Sequence, residues 1–245
     1  MKIIKLGGAI CHQPETIAKL ATAWHQRSEP WALIHGGGPQ LTEALEAEGP
    51  PIRVGGLRRT TEQGAEIVRA AMDQVGQTLT QLLQEAGVPA KHVPATECLF
   101  PAARKEQPVG LGRVGTANGF EAHRVQVSDD SLLVITPVGW DANGPLNLNA
   151  DEGACVAASA LGAAELVLAT DVPGVLVEGK PIPHLTWDDA RGLQAQGVIQ
   201  GGMIQKTENA AEALRCGVQR VTIGPVSAAW SREAPRTEML PAVTA

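Results

Sequence analysis

Short apolar runs alternate along this chain with longer segments whose apolar residues recur every three or four positions. Ile3 to Leu6, Trp31 to His35, Leu132 to Thr136, Leu166 to Thr170 and Arg220 to Ile223 are the short runs, and they predict strands. Between them, Pro14 to Arg27 reads as a helix opened by its proline, and Pro39 to Glu48 as a second helix with Leu41, Ala44, Leu45 and Glu48 at helical spacing. Thr61 to Ala86 predicts a long helix for which Thr60 or Thr61 supplies the N-cap. Asn149 to Leu161 is an alanine-rich helix with a capping carboxylate at Asp151 or Glu152, and Trp187 to Ala195 and Gly202 to Cys216 complete the helical set. Strand, glycine turn and helix occur twice in the first fifty residues, an order that builds a parallel sheet with helices on its faces.

The remaining segments are less regular. Pro50 to Arg59 predicts a hairpin around Gly55-Gly56, and Asp141 to Gly144 and Asp171 to Gly174 predict turns. Pro89 to Val127, with several Pro and Gly between extended snippets, reads as loops and β-hairpins inserted beside the main sheet. No repeat or linker separates independent domains, so the expectation is two lobes sharing one sheet, divided near Leu146.

Composition narrows the function classes. A chain of 245 residues with 44% hydrophobic and 19% charged residues has the make-up of a folded enzyme rather than a disordered segment. Its net charge of −6 argues against a general nucleic-acid or membrane-surface binder, so an anionic ligand must be met by a local cluster of cations. No apolar stretch approaches the ~20 residues needed to span a bilayer. Cys11, Cys98, Cys155 and Cys216 are scattered, with no C-x-x-C pair, which favours reduced thiols in a cytoplasm.

Two glycine turns carry the candidate chemistry. Lys5-Leu6-Gly7-Gly8 and His35-Gly36-Gly37-Gly38 each follow a predicted strand, and Gly201-Gly202-Met203-Ile204-Gln205-Lys206 supplies a second glycine-flanked lysine. Glycine lets backbone N–H groups approach an anion, a helix beginning just after the turn adds its positive end, and lysine supplies the cation a migrating phosphoryl group needs. Each piece alone has an ordinary reading: βα turns, a solvated helix lysine, a surface arginine at Arg58, a turn and a cap at Asn147 and Asp151.

Taken in order, Lys5-Leu6-Gly7-Gly8, His35-Gly36-Gly37-Gly38, Gly56-Leu57-Arg58, Asn147-Leu148-Asn149-Ala150-Asp151, Asp171-Val172-Pro173-Gly174 and Gly202-Met203-Ile204-Gln205-Lys206 resemble the acetylglutamate kinases of the amino acid kinase family. The resemblance spans nearly the whole chain. It implies an α/β fold, a three-layer αβα sandwich around a mainly parallel sheet, and ATP-dependent phosphorylation of the γ-carboxylate of N-acetyl-L-glutamate in arginine biosynthesis. Residues 1–145 would bind the acyl amino acid and form the dimer, and residues 146–245 would bind ATP.

By that analogy Lys5 and Lys206 stabilise the transferring phosphoryl group, and Asp151 orients both. Asp151 has no proton to remove, because the attacking carboxylate is already ionised at neutral pH. For the same reason His35 reads as a residue that fixes its turn by a hydrogen bond. Gly7, Gly8, Gly37 and Gly38 offer N–H donors, Gly36 belongs to the same acyl-amino-acid turn, and Arg58 and Asn147 select the α-carboxylate and acetamido groups. Asn149 does the same or caps its helix. The resemblance puts adenine and ribose against the backbone of Asp171, Val172, Pro173, Gly174, Val175 and Leu176 and of Val198, Ile199 and Gln200. Mg²⁺ is expected to arrive on the ATP phosphates, with no protein carboxylate as ligand.

The chain departs from the family pattern in two places. Pro94 to Phe100 lacks a glycine-rich loop, and Gly76-Gln77 stands where many members carry Asn-Lys. A kinase acting on a carrier-protein-linked aminoadipate or glutamate is therefore the nearest alternative, although only Arg53, Arg58 and Arg59 cluster as a basic surface for an acidic carrier. A catalytically silent amino-acid sensor is the alternative of another class. Arginine-inhibited relatives carry an extra N-terminal helix, whereas the first strand here begins at Lys2; the expectation is an arginine-insensitive homodimer. Ile67, Ala70, Ala71, Leu79 and Leu82 of the long helix are left open between core and partner.

Overall fold

A computed structural model describes residues 1–54 and 56–241. From the N-terminus the elements are β1 (Lys2–Leu6), α1 (Pro14–Gln26), β2 (Trp31–His35), α2 (Gly38–Ala44), the hairpin strands β3 (Arg53–Val54) and β4 (Leu57–Arg58), α3 (Glu62–Glu85) and β5 (Ala90–Val93). The middle of the chain holds β6 (Phe100–Arg104), β7 (Val114–Ala117), β8 (Leu132–Ile135), β9 (Gly139–Asp141), β10 (Gly144–Leu148) and α4 (Ala150–Ala160). The last third adds β11 (Glu165–Ala169), β12 (Leu176–Val177), β13 (Lys180–Pro181), β14 (His184–Thr186), α5 (Trp187–Ala195), α6 (Gly202–Arg215), β15 (Arg220–Gly224) and β16 (Thr237–Leu240).

Eight strands form the central sheet in the order β14-β16-β15-β11-β1-β2-β8-β5. All neighbours run parallel except β15 and β16, which are antiparallel. The strands are apolar almost without interruption because both faces are covered. On one face Ile3, Ile34, Ile135, Leu166 and Ile223 pack with the alanines of α4 and α6. On the other, Ile4, Leu33, Val134 and Val167 pack with Leu20 and Trp24 of α1 and Val75, Leu79 and Leu83 of α3. This is the αβα sandwich the sequence resemblance implies.

Several expectations are corrected in detail. Ala90–Val93 is the edge strand of the main sheet, not part of an inserted hairpin, since it pairs in parallel with β8 over its whole length. The rest of the Pro89 to Val127 segment supplies β6 and β7, which close with β9 and β10 into a four-stranded unit. The predicted helix from Pro39 to Glu48 stops at Ala44 and continues only as a single 3₁₀ turn, Glu46–Glu48. The cap of α4 is Asn149, whose Oδ1 accepts from the N–H groups of Asp151 and Glu152 at 2.9 and 3.1 Å. With those donors already satisfied, neither carboxylate caps, and both reach tertiary partners instead. Glu152 accepts from the Ala117 N–H at 2.8 Å and pairs with Lys105 at 3.2 Å. The Thr61 hydroxyl caps α3 by accepting from Gly64 N at 2.8 Å. Of the predicted hairpin tip, Gly55 lies outside the described residues, while Gly56 occupies the turn with φ +79°. In α3, Leu79 is core, Ile67, Ala71 and Leu82 are half-buried, and Ala70 is exposed.

Candidate active site

The C-terminal ends of β1 and β2 lie side by side, so their two glycine turns meet. Gly36 N donates to Leu6 O at 2.8 Å, which ties one turn to the other strand. A Cβ on Gly8 would stand 2.7 Å from Gly38 N and 2.8 Å from Gly37 Cα, and one on Gly37 would stand 2.6 Å from Met72 Sδ. Glycine is required at position 8 because backbone meets backbone there, whereas at position 37 a side chain would have to displace Met72. The N–H groups of Gly8 and Gly37 have no acceptor among the described residues and are free to meet an anion.

Lys5 reaches this point from the end of β1, Asp151 from the first turn of α4 and Lys206 from the second turn of α6. Lys5 Nζ stands 2.9 Å from Asp151 Oδ1, and Lys206 Nζ donates to Oδ2 at 2.8 Å. Burial works against ionised Asp151, but the Lys5 and Lys206 ammonium groups outweigh it and hold the carboxyl below its usual range. Burial also pulls Lys206 below an ordinary lysine, opposed by Asp151 and reinforced by Lys5. One carboxylate between two ammonium groups leaves a surplus positive charge in a desolvated place. Such a charge favours an incoming anion strongly, because water does not screen it.

The other end of the cleft holds the polar selectors. Arg58 is buried at the end of β4, with Nη2 donating to the Thr42 hydroxyl of α2. Burial, aided by the nearby Arg53 charge, pulls its pKa down, so the guanidinium gains from a carboxylate partner. Asn147 Nδ2 donates to Thr60 Oγ1 at 2.9 Å, and Asn149 Nδ2 donates to Gln205 Oε1. Lys5, Gly8, Gly36, Gly37, Gly38, Arg58, Asn147, Asn149, Asp151 and Lys206 line one cleft of about 440 Å³. Arg53, Met72 and Gln205 also line it. A larger cavity of about 690 Å³ lies at the opposite, N-terminal end of the central strands, beside Lys2, Trp31, Glu165 and Arg220, away from the glycine turns.

Other predicted residues stand outside this cleft. Gly7 turns its carbonyl to Ile10 N and Cys11 N at 3.0 and 3.2 Å. Asp171, Val172, Pro173, Gly174, Val175 and Leu176 follow β11, the neighbour of β1, at the same end of the sheet. Val175 and Ile199 are core residues, and their N–H groups already donate, to Thr237 Oγ1 at 2.8 Å and to Leu193 O at 3.2 Å. Val198 is exposed, and Gln200 precedes the Gly201 turn that opens α6. Among the described residues no three His, Cys, Asp or Glu side chains gather as a metal site. Asp151, the carboxylate of the cleft, has both oxygens committed to lysines.

The supports of the site were not visible in the sequence. Arg113, 1% exposed, grips Asp141 through two hydrogen bonds of 2.9 Å and also donates to Pro145 O. Its own carbonyl accepts from Asn147 N at 2.8 Å, so this ion pair, buried on its arginine side, fixes the strand that carries Asn147. Thr42, Thr60 and Gln205 orient Arg58, Asn147 and Asn149 from distant parts of the chain. No local pattern marks such partners.

Residues 1–225 match the amino acid kinase family. Among curated proteins, the chain is 36% identical over 227 residues to an acetylglutamate kinase of Listeria welshimeri, covering 90% of this chain and 91% of that one. It is 39% identical over 191 residues to an acetylglutamate kinase of Rubrobacter xylanophilus, covering 76% and 75%. Among solved structures, smu.665 from Streptococcus mutans superposes with a TM-score of 0.80 at 28% identity, over 91% of this chain and 94% of that one.

Proposed function

The chain belongs to the amino acid kinase family, and from that premise we propose that it is a kinase transferring the γ-phosphoryl group of ATP to the γ-carboxylate of N-acetyl-L-glutamate, a step of arginine biosynthesis. The observation that carries the reading is the Lys5–Asp151–Lys206 cluster at one end of a cleft whose other end holds Arg58 and Asn147. A cationic centre flanked by carboxylate selectors suits an acceptor with one carboxylate to be held and one to react.

In the reaction a carboxylate oxygen attacks the γ-phosphorus, the bond to the β-phosphate oxygen breaks, and ADP leaves with that electron pair. Two anions must approach in line, so catalysis is positioning plus charge stabilisation. Lys5 and Lys206 hold the equatorial oxygens of the migrating group, Gly8 and Gly37 donate their free N–H groups, and Asp151 keeps both ammonium groups aimed. Arg58 and Asn147 hold the α-carboxylate and acetamido groups of the acceptor. ATP would lie along residues 171–176 and 198–200, contacted by backbone, and Mg²⁺ would be carried on its phosphates. On this reading residues 1–145 serve the acceptor, joined by Asn147 from the start of the second lobe, and the rest of residues 146–245 serve the nucleotide.

The same reading includes a cytoplasmic homodimer. Four free thiols suit a reducing compartment, and no helix among the described residues is long and apolar enough to cross a membrane. The long α3, with Ile67, Ala71 and Leu82 only half-buried, is its contact element. The deciding experiment is a coupled ADP-release assay with Mg-ATP, comparing N-acetyl-L-glutamate, L-glutamate and N-acetyl-aminoadipate. Turnover with N-acetyl-L-glutamate that Lys206→Ala abolishes supports the assignment; turnover with none of the three overturns it.

A further inference from the structure

Helix α3 crosses the sheet at a place where it has no room for a side chain. A Cβ on Gly76 would stand 2.5 Å from His92 Nε2 and 2.7 Å from His35 Nε2. The helix backbone therefore rests on two imidazoles, one at the end of β2 and one on the edge strand β5. Between them stands Thr136, just beyond β8. Pairing of β8 with β2 and β5 puts residues 35, 136 and 92 on the same face of the sheet. The Thr136 hydroxyl lies 3.2 Å from His35 Nε2 and 2.9 Å from His92 Nε2.

We propose that Thr136 is a positioning residue for phosphoryl transfer, acting through His35 to aim the Gly37 N–H into the cleft, with His92 as the outer member of the hydrogen-bonded chain. The direction of the chain follows from counting protons. His35 Nδ1 lies 3.4 Å from Gly36 O, and a carbonyl only accepts, so Nδ1 carries the proton. The ring is neutral, because complete burial lowers its pKa from 6.5 to about 3. Its Nε2 is therefore bare and takes the Thr136 O–H. Having given its one proton to His35, the Thr136 oxygen accepts from His92, which is then protonated on Nε2.

The carbonyl of Gly36 and the N–H of Gly37 belong to one trans peptide and point in opposite directions. Holding the carbonyl toward His35 turns the N–H the other way. Gly36 N is already fixed by Leu6 O at 2.8 Å, so both sides of the turn are tethered. Chains of this kind hold a donor in place before charge develops, which is where a donor acts on the transition state more than on the ground state. Gly76 is the complement of the device, since the paired imidazoles fill the space that a side chain at that position would occupy.

The inference rests on the kinase reading only for what the Gly37 N–H meets; the proton arrangement is independent of it. Nitrogen-15 spectra of histidine-labelled wild-type protein, with His35 assigned through His35→Gln, should show His35 protonated on Nδ1 and His92 on Nε2. The reverse tautomer at His35 overturns the chain whether or not any substrate turns over. In kinetics with Mg-ATP, Thr136→Val should lower kcat by roughly tenfold or more with both KM values within about twofold, and Thr136→Ser should restore most of it. A folded Thr136→Val protein with wild-type kcat overturns the positioning role. If that variant does not fold, the wild-type tautomers decide alone. Absence of turnover by the wild-type protein itself counts against the kinase reading, while the tautomers still support or overturn the hydrogen-bonded chain.

Discussion

Asp151 shows how much one side chain depends on its partners. A buried carboxylate is costly unless it is paired, and here each oxygen meets a lysine within 3 Å. The arrangement predicts a kinetic asymmetry between the two ends of the cleft. Lys206→Ala removes a charge used mainly as the phosphoryl group moves, so kcat should fall by about 10²–10³ with little change in either KM. Arg58→Ala removes a carboxylate partner used equally before and during transfer, so KM for the acyl amino acid should rise well over tenfold, about 1.4 kcal/mol or more. Steady-state kinetics on the two variants separates these outcomes, and an unchanged KM in Arg58→Ala would remove that residue from the acceptor site. On the alkaline side, kcat should decline below the pH of an ordinary lysine, because burial lowers the Lys206 pKa from 10.5.

The two glycine turns and the helices behind them work as contact surfaces rather than as isolated motifs. Gly8→Ala would bring a methyl group to 2.7 Å from a backbone nitrogen that cannot swing aside. The turns must separate to admit it, at a cost of about 1–3 kcal/mol, and the N–H groups aimed at the cleft move with them. Chemical denaturation should show the stability loss and kinetics a larger loss of kcat; a Gly8→Ala protein with native stability and rate would mean that this close approach is not needed. Helix α4 presents a related division of labour. Asn149 caps it, which frees Asp151 for the lysines and Glu152 for Ala117 N and Lys105. A capping residue was legible at the start of this helix, but which of three neighbouring polar residues would cap was not. That choice depends on which oxygen has a better partner elsewhere in the fold.

Across the whole molecule, the buried histidine links stability to pH. The unfolded chain takes up a proton at His35 near pH 6.5, whereas the folded protein refuses it until about pH 3. The unfolded state therefore binds more protons between those values, and stability should be full above about 6.5 and decline as pH falls through the window. Thermal unfolding followed from pH 7.5 to 4 should show Tm decreasing, with a shallower slope in His35→Gln; equal slopes in the two proteins would exclude His35 as a source. The order of strands and helices, the central parallel sheet and the residues of both glycine turns were all written in local patterns of apolarity and glycine, because strand, helix and turn propensities act over a few neighbours. The edge position of β5, the closure of β6, β7, β9 and β10 and the strand at Thr237–Leu240 were not, since short strands carry little periodicity and their pairing is settled by distant partners. Lys5, Asp151 and Lys206 could be named from spacing and resemblance, yet their meeting within 3 Å, the grip of Arg113 on Asp141 and the chain through Thr136 exist only because folding brings together residues far apart in sequence, where burial makes each unpaired polar group too costly to leave alone.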